Sequence, residues 1–334
     1  MSRFLYKYMP PRLDFFKDPM IRATPLTDLN DPFEGCFNEK QVRDADKNQV
    51  NYYRKNGKNA IDSDDSEVSD TIGIIQSELA DLGILSFTED CNNLLMWAHY
   101  ADNHKGMVIE FDLNEPFFED SIKELKGRRS RFGESHFADL FEFPERVSYR
   151  RIMPDFERPE LSAPDSMNQF HWEKFNRAIL FTKGDDWIYE KEQRSIVQLK
   201  DADAIICGDN EWIRRQCELD AKIKIETINE GKVKITYPNE YEMHEQMGDE
   251  SIKYGIYRLS ACTGLNPIHL FRINPKAISG VYFGCKSDSS EGLKFIRDNP
   301  NLKHLNNIYR MCASETEYQL VPHKVQNCMN STAP

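Results

Sequence analysis

Glu190, Glu192 and Arg194 fall at alternate positions of the stretch Trp187-Ile-Tyr-Glu-Lys-Glu-Gln-Arg-Ser-Ile-Val197. In an extended chain Ile188, Glu190, Glu192, Arg194 and Ile196 share one face. Two carboxylates with one counter-charge between apolar flanks are costly to bury, and such costs concentrate at functional sites. In a helix the same residues give an ordinary i,i+4 surface pair of Glu190 with Arg194. A carboxylate held this way can stabilise an oxocarbenium-like sugar, the chemistry of glycosyl cleavage. Cleavage of the nicotinamide–ribose bond of NAD also needs rings for stacking and a cation for the phosphates. Tyr6, Tyr8 and Tyr100 offer rings, Lys7 and Arg194 offer charge, and Ser86 and Thr88 offer hydroxyls. Singly, each has a structural reading: Tyr6 and Trp97 as core, Arg194 as the partner of an adjacent glutamate.

The elements that must position these groups are short. Phe4–Tyr8 reads as a strand stopped by Pro10-Pro11, and Ile84–Thr88 as a strand with Ser86 and Thr88 on one face. The segment from Asn93 to Asp102 reads as a buried helix, with Leu95, His99 and Asp102 along one side and Met96 and Tyr100 along the next. Thr24–Glu34 is a turn-rich loop in which Phe33 serves as a core anchor and Asp31 and Glu34 are turn, cap or site carboxylates. Thr71–Leu82 suits an amphipathic helix ended by Gly83, and the polar residues from 38 to 70 read as a solvated helix or insertion. Met107–Asp112, Val147–Ile152, Ile278–Phe283, Asn307–Met311 and Tyr318–Val321 are strand candidates. Lys222–Ile228 and Lys232–Tyr237 form a hairpin, Ser166–Phe181 and Ser290–Asp298 helices, and residues 238–251 an acidic loop. Lys126–Arg131 is a basic loop able to steer a phosphate-bearing ligand.

Other chemistries find little support. There is no P-loop, no Rossmann glycine fingerprint and no Gly-x-Ser-x-Gly elbow. A metal site from His99, Asp102 and His104 suffers from a histidine spacing that splits the pair across helix faces. A two-metal nuclease would need Asp31, Glu34, Glu190 and Glu192 to meet from separate elements. The net charge of −12 argues against non-specific coating of nucleic acid, while leaving room for a local basic cleft. The eight cysteines, at 36, 91, 207, 217, 262, 285, 312 and 328, include no CxxC pair. No apolar run approaches the roughly 20 residues of a membrane span, and the first residues lack a secretory h-region. These features place the chain in a reducing cytoplasm with free thiols and no membrane association.

Several blocks together resemble the bacterial family DUF2971. They are Leu5-Tyr-Lys-Tyr8, Asn30-Asp-Pro-Phe-Glu34, Ile84-Leu-Ser-Phe-Thr88, Met96-Trp-Ala-His-Tyr100 with His104-Lys-Gly106, Trp187–Arg194, and Ile278–Gly284 with Lys286-Ser287. A more distant resemblance is to ADP-ribosyltransferases of the Arg–Ser–Glu type, whose motifs occur in the order of Lys7, Ser86-Phe-Thr88 and Glu190-Lys-Glu192. Lys stands here for the family's Arg, and Phe87 interrupts its Ser-Thr-Ser strand. That resemblance implies Glu192 as the catalytic glutamate with Glu190 and Tyr100 beside it. It implies Tyr6, Lys7, Tyr8, Ser86, Thr88 and His99 as contacts to NAD, which is consumed as substrate.

The expectation is a single α+β domain over residues 1–334, ADP-ribosyltransferase-like, with a split, mostly antiparallel sheet, surrounding helices and a polar helical insertion at about 38–82. The expected function is NAD-dependent ADP-ribosyl transfer to a nucleic-acid or protein acceptor, in a bacterial toxin or antiviral defence effector restrained by a regulatory or inhibitory partner. The alternatives are a metal-dependent nuclease and a non-enzymatic binding module.

Overall fold

The computed structural model describes residues 3–55, 65–118, 144–156, 172–229, 231–238 and 248–325. The basic run Lys126–Arg131 and most of the segment around it lie outside them. Among the described residues no helix is long and apolar enough to cross a membrane.

The architecture is α+β, built on a 13-stranded, mostly antiparallel sheet. The strands that matter for the site are β1 (Phe4–Met9), β2 (Met20–Pro25), β3 (Leu82–Thr88) and β4 (Met107–Asp112). β5 (Glu145–Arg146), β6 (Ser148–Arg150), β7 (Thr182–Gly184) and β8 (Glu192–Gln198) follow. Then come β9 (Ala204–Gly208), the hairpin β10 (Lys224–Asn229) and β11 (Lys232–Thr236), β12 (Ile268–Arg272), β13 (Ile278–Phe283), β14 (Asn307–Ala313) and β15 (Leu320–Lys324). The main path runs β10-β11-β9-β12-β2-β3-β1-β4-β13-β14-β15, with β8 added to β3 and β5 to β8. β13 and β14 pair in parallel within it, and β6 and β7 form a separate parallel pair.

The sheet branches at β3. One edge of β3 is occupied throughout by β8, from Leu82↔Gln198 to Thr88↔Glu192. Its other edge is shared: β2 pairs at Gly83 and Ile84, and β1 pairs only at Thr88, opposite Tyr6. In the gap between them the Lys7 ammonium donates to the Ser86 carbonyl at 2.9 Å, supplying a partner that neither strand provides. Gly83 is the tight point. A Cβ there would lie 2.6 Å from Leu199 and 2.8 Å from Ala23, so this glycine is a strand residue that lets chains approach, not the helix stop that its position suggests.

Alternation along the strands builds two different faces. Leu5, Met9, Leu85, Phe87, Ile109, Phe111, Val197, Val281 and Phe283 join the largest apolar core. The other face meets two smaller cores. One joins Ile84 and Ile196 to the helices α1 (Glu39–Lys55), α2 (Asp65–Ala80) and α4 (Trp172–Phe181), through Val42, Ile72, Ile75, Leu79 and Phe175. The i, i+3, i+7 spacing of Ile72, Ile75 and Leu79 accounts for the docking of α2, while within residues 38–48 Val42 is the buried contact. The second joins Tyr8, Val108 and Tyr282 to Met96 and Trp97 of α3 (Leu94–Tyr100).

Two remaining expectations needed changes. Phe33 is 64% exposed, while Asp31 beside it is buried, so the loop is anchored by its carboxylates and not by its ring. Of the expected acidic loop at 238–251, residues 239–247 lie outside the described residues, and 248–251 open a helix, α6 (Gly248–Ala261), whose Ile256 and Tyr257 are buried. α5 (Glu211–Glu218) precedes it and α7 (Ser290–Asp298) follows it.

Candidate functional site

Glu190 is not on the strand that alternation predicts. Asp185–Glu190 forms a 3₁₀ turn, Lys191 takes a left-handed conformation (φ 46°, ψ 46°), and β8 begins only at Glu192. Ile188 consequently points outward, 61% exposed. The hook at Lys191 nevertheless returns the Glu190 side chain to the same buried cluster as Glu192.

That cluster is a continuous ionic network. Lys183, from the short β7, places its ammonium 2.7 Å from Glu190, 3.3 Å from Glu192 and 3.6 Å from Glu34. Arg194 donates from Nε to Glu192 Oε1 at 2.8 Å and from Nη2 to Oε2 at 2.9 Å. Its Nη1 reaches Glu34 at 2.8 Å and the Leu180 carbonyl at 2.9 Å, and its Nη2 a second Glu34 oxygen at 2.5 Å. Burial alone would push the Glu192 carboxyl up, but Arg194, Lys183 and the Ser86 hydroxyl hold it down at about 2. Burial likewise opposes the charge on Lys183 and Arg194, and the carboxylates around them more than restore it.

Tyr100 forms the open end of the network. Its phenol donates to Glu190 Oε1 at 2.5 Å and accepts from the Asn30 amide at 3.2 Å. The helix is set in place from both ends. At its start Asn93 caps the Leu95 and Met96 amides and donates to the Tyr189 carbonyl at 2.7 Å, tying α3 to the turn that carries Glu190. At its end Asp102, Asn103 and His104 are all left-handed, and Gly106 follows where a Cβ would strike the Met9 carbonyl at 2.2 Å. Burial, with Glu190 beside it, pushes the Tyr100 phenol well above its usual range. On the other side the Tyr149 hydroxyl accepts from the Glu192 amide at 2.7 Å.

A cleft of about 590 Å³ adjoins the network, lined among others by Asp31, Phe33, Arg150, Met153, Lys183 and Trp187. The Lys183 ammonium lies 4.7 Å from the centre of the Trp187 ring. Asp31 closes the floor, accepting from the Phe33 amide at 2.9 Å and the Gly184 amide at 3.5 Å.

Of the residues selected from sequence, the fold brings together Glu190, Glu192, Tyr100 and Ser86. Thr88 and Tyr6 stand in register beside Glu192, in one row across β8, β3 and β1. Tyr8 is core: its ring meets Trp97 at 5.3 Å and its hydroxyl donates to the Asp90 carbonyl. Lys7 points to the opposite face, 5.8 Å from the Phe87 ring, where burial pushes it down to about 8 against the pull of Glu192. His99 is exposed, 6.4 Å from the Tyr100 ring. Sequence reasoning missed Lys183. Three carboxylates converging with a single arginine require a second cation, and that imbalance was its one available signal.

Residues 96–195 match the family model described as "Protein of unknown function (DUF2971)". The match covers 100 of the 334 residues, under a third of the chain. The matched segment runs from α3 to β8 and contains Tyr100, Tyr149, Lys183, Glu190, Glu192 and Arg194. Asn30, Glu34 and Ser86, which complete the site, come from outside it. No curated protein and no solved structure matches the chain.

Proposed function

We propose that the chain transfers ADP-ribose from NAD, using the Glu190–Glu192 network beside the cleft. The observation that carries this reading is the charge of the network. Glu34, Glu190 and Glu192 against Lys183 and Arg194 leaves three negative charges against two positive, an excess of one. A preorganised, water-poor negative site suits a reaction centre that turns cationic as it reacts. In that reaction the bond from ribose C1′ to the nicotinamide nitrogen breaks, and nicotinamide leaves with the electron pair as a neutral molecule. An acceptor nucleophile bonds to C1′ and its proton passes to Glu190, the carboxylate whose other partner is the neutral phenol of Tyr100. Glu192, bound on both oxygens by Arg194, sets the position of Lys183 and hence of Glu190. Trp187 offers a ring for stacking, and Arg150 and Arg151 at the cleft offer charge to the phosphates.

A two-metal nuclease would use the same convergence of Asp31, Glu34, Glu190 and Glu192. The Lys183 ammonium, within 4 Å of three of those carboxylates, holds the bridging position such metals would take.

The test is nicotinamide release from NAD, with water, DNA, RNA or protein as acceptor. Glu190→Gln and Tyr100→Phe are expected to lower the rate, the first on the order of 10²-fold. Absence of release by the folded protein with every acceptor would end the proposal.

A further inference from the structure

Glu110, on β4, is 7% exposed and is satisfied differently from every carboxylate in the network above. Ser279 donates to its Oε1 at 2.8 Å, Tyr282 to its Oε2 at 2.7 Å, and Tyr6 adds a third hydroxyl. Among the described residues it has no salt-bridge partner. Neutral donors orient a carboxylate but bring no opposite charge, so a buried carboxylate held only by them is costly to ionise unless something cationic joins it.

Local geometry builds this arrangement on purpose. β13 carries a bulge between Ile278 and Gly280, so Ser279 is turned toward Glu110, which pairs with Gly280. Gly280 leaves the space: a Cβ there would sit 3.0 Å from Glu110 Oε1 and 3.3 Å from its Cβ and Cδ. Aromatic rings surround the group. Tyr282 stacks on Tyr309 at 4.9 Å and 15°, and Tyr6 meets Tyr282 edge-on at 6.0 Å. Tyr6, Ser279 and Tyr309 are only partly buried, so the rim is reachable from solvent.

We propose that Glu110, Tyr6, Tyr282 and Tyr309 form a binding site for a flat organic cation, with the carboxylate supplying the charge and the rings supplying π faces. Cations of this shape are drawn both to a desolvated carboxylate and to tyrosine faces. Two sources share the chemistry: the pyridinium ring of a dinucleotide and the guanidinium of an arginine side chain. The site stands independently of the glycosyl-transfer reading, because a guanidinium would bind it whether or not NAD is cleaved.

The experiment titrates the full chain with two matched pairs, following tyrosine fluorescence and heat. One pair is 1-methylnicotinamide and neutral nicotinamide; the other is N-acetylarginine amide and neutral N-acetylcitrulline amide. One cation is expected to bind about tenfold or more tightly than its neutral counterpart, and the pair that shows this identifies the source. Glu110→Gln keeps the hydroxyl contacts and is expected to erase the preference. Tyr309→Leu, at the partly exposed edge, is expected to weaken the cation alone and serves if Glu110→Gln does not fold. Equal binding within both pairs, no saturation of either cation at about 10 mM, or an unchanged preference in the variants would overturn the proposal. Nicotinamide release is measured separately, so failure of this site and failure of the transfer reaction are distinguishable.

Discussion

Glu192 and Glu110 share one face of the sheet and one cross-strand row, with Thr88 and Tyr6 between them. Three strand spacings separate them, about 14 Å. Both carboxylates are almost fully buried, yet they are satisfied by opposite means. Glu192 has two fixed cations built around it, and Glu110 has three neutral hydroxyls. Fixed cations make a buried charge part of the scaffold, since removing one partner strands the other. Hydroxyls orient a carboxylate without cancelling it, leaving a charge that a ligand can answer. The same sheet therefore carries one centre that is rigid and largely self-neutralised, and one that is ordered but electrically open.

Breaking the rigid centre should have the largest effect. Arg194→Leu leaves Glu192 and Glu34 buried with only Lys183 between them, and is expected to cost about 3–5 kcal/mol in urea unfolding. A loss below about 1 kcal/mol, the scale of an exposed pair, would mean that the network is not part of the scaffold. The acid limb sharpens the same point. The Glu192 carboxyl is held at about 2 in the folded chain, against 4.5 ordinarily. Between those values the unfolded chain binds a proton that the folded chain does not, so stability falls as pH drops through the window. The contribution of Glu192 is complete above 4.5 and is lost toward 2. Glu192→Gln should flatten the slope of the urea midpoint against pH in that interval.

What was legible in the sequence follows the same divide. The strands around Tyr6, Ser86 and Glu192 are marked by alternation and bounded by turn residues, and their adjacency holds. The branching at β3 had no local signal, because pairing of β1 and β2 to one edge of β3 depends on contacts far apart in the chain. Lys183 was illegible because Thr182-Lys-Gly-Asp-Asp186 looks like a solvated connection, and only tertiary packing buries its ammonium. Lys191 carries no signal for a left-handed conformation, so the stretch before Glu192 read as strand where it is a turn. Glu110 was passed over within the Met107–Asp112 strand, since its partners Ser279 and Tyr282 arrive from about 170 residues away through a bulge that no local pattern announces.

Lys7→Met probes the seam between the two centres. The substitution keeps the apolar contact with Phe87 but leaves the Ser86 carbonyl without its donor in the gap between β1 and β2. The expected loss is about 1–3 kcal/mol, the cost of an unsatisfied buried acceptor. Because Ser86 also supports Glu192, amide exchange should rise in β3 and β8 while β13 and β14 stay protected. Uniform exchange across the sheet would show that the seam does not separate the two regions.

Tyr282→Phe makes the smallest change and the most direct comparison. It deletes one of the three hydroxyls on Glu110 and keeps the ring that stacks on Tyr309. Ser279 and Tyr6 still donate, so the expected loss is about 0.5–1.5 kcal/mol, the net worth of one hydrogen bond. Stability alone does not complete the test. If Glu110 is an open charge, losing a neutral donor should leave cation binding intact or slightly strengthened, since the carboxylate gains a free lone pair. A loss as large as that of Arg194→Leu would instead make Tyr282 a structural partner as indispensable as a buried cation, and the two ends of the row would then be alike.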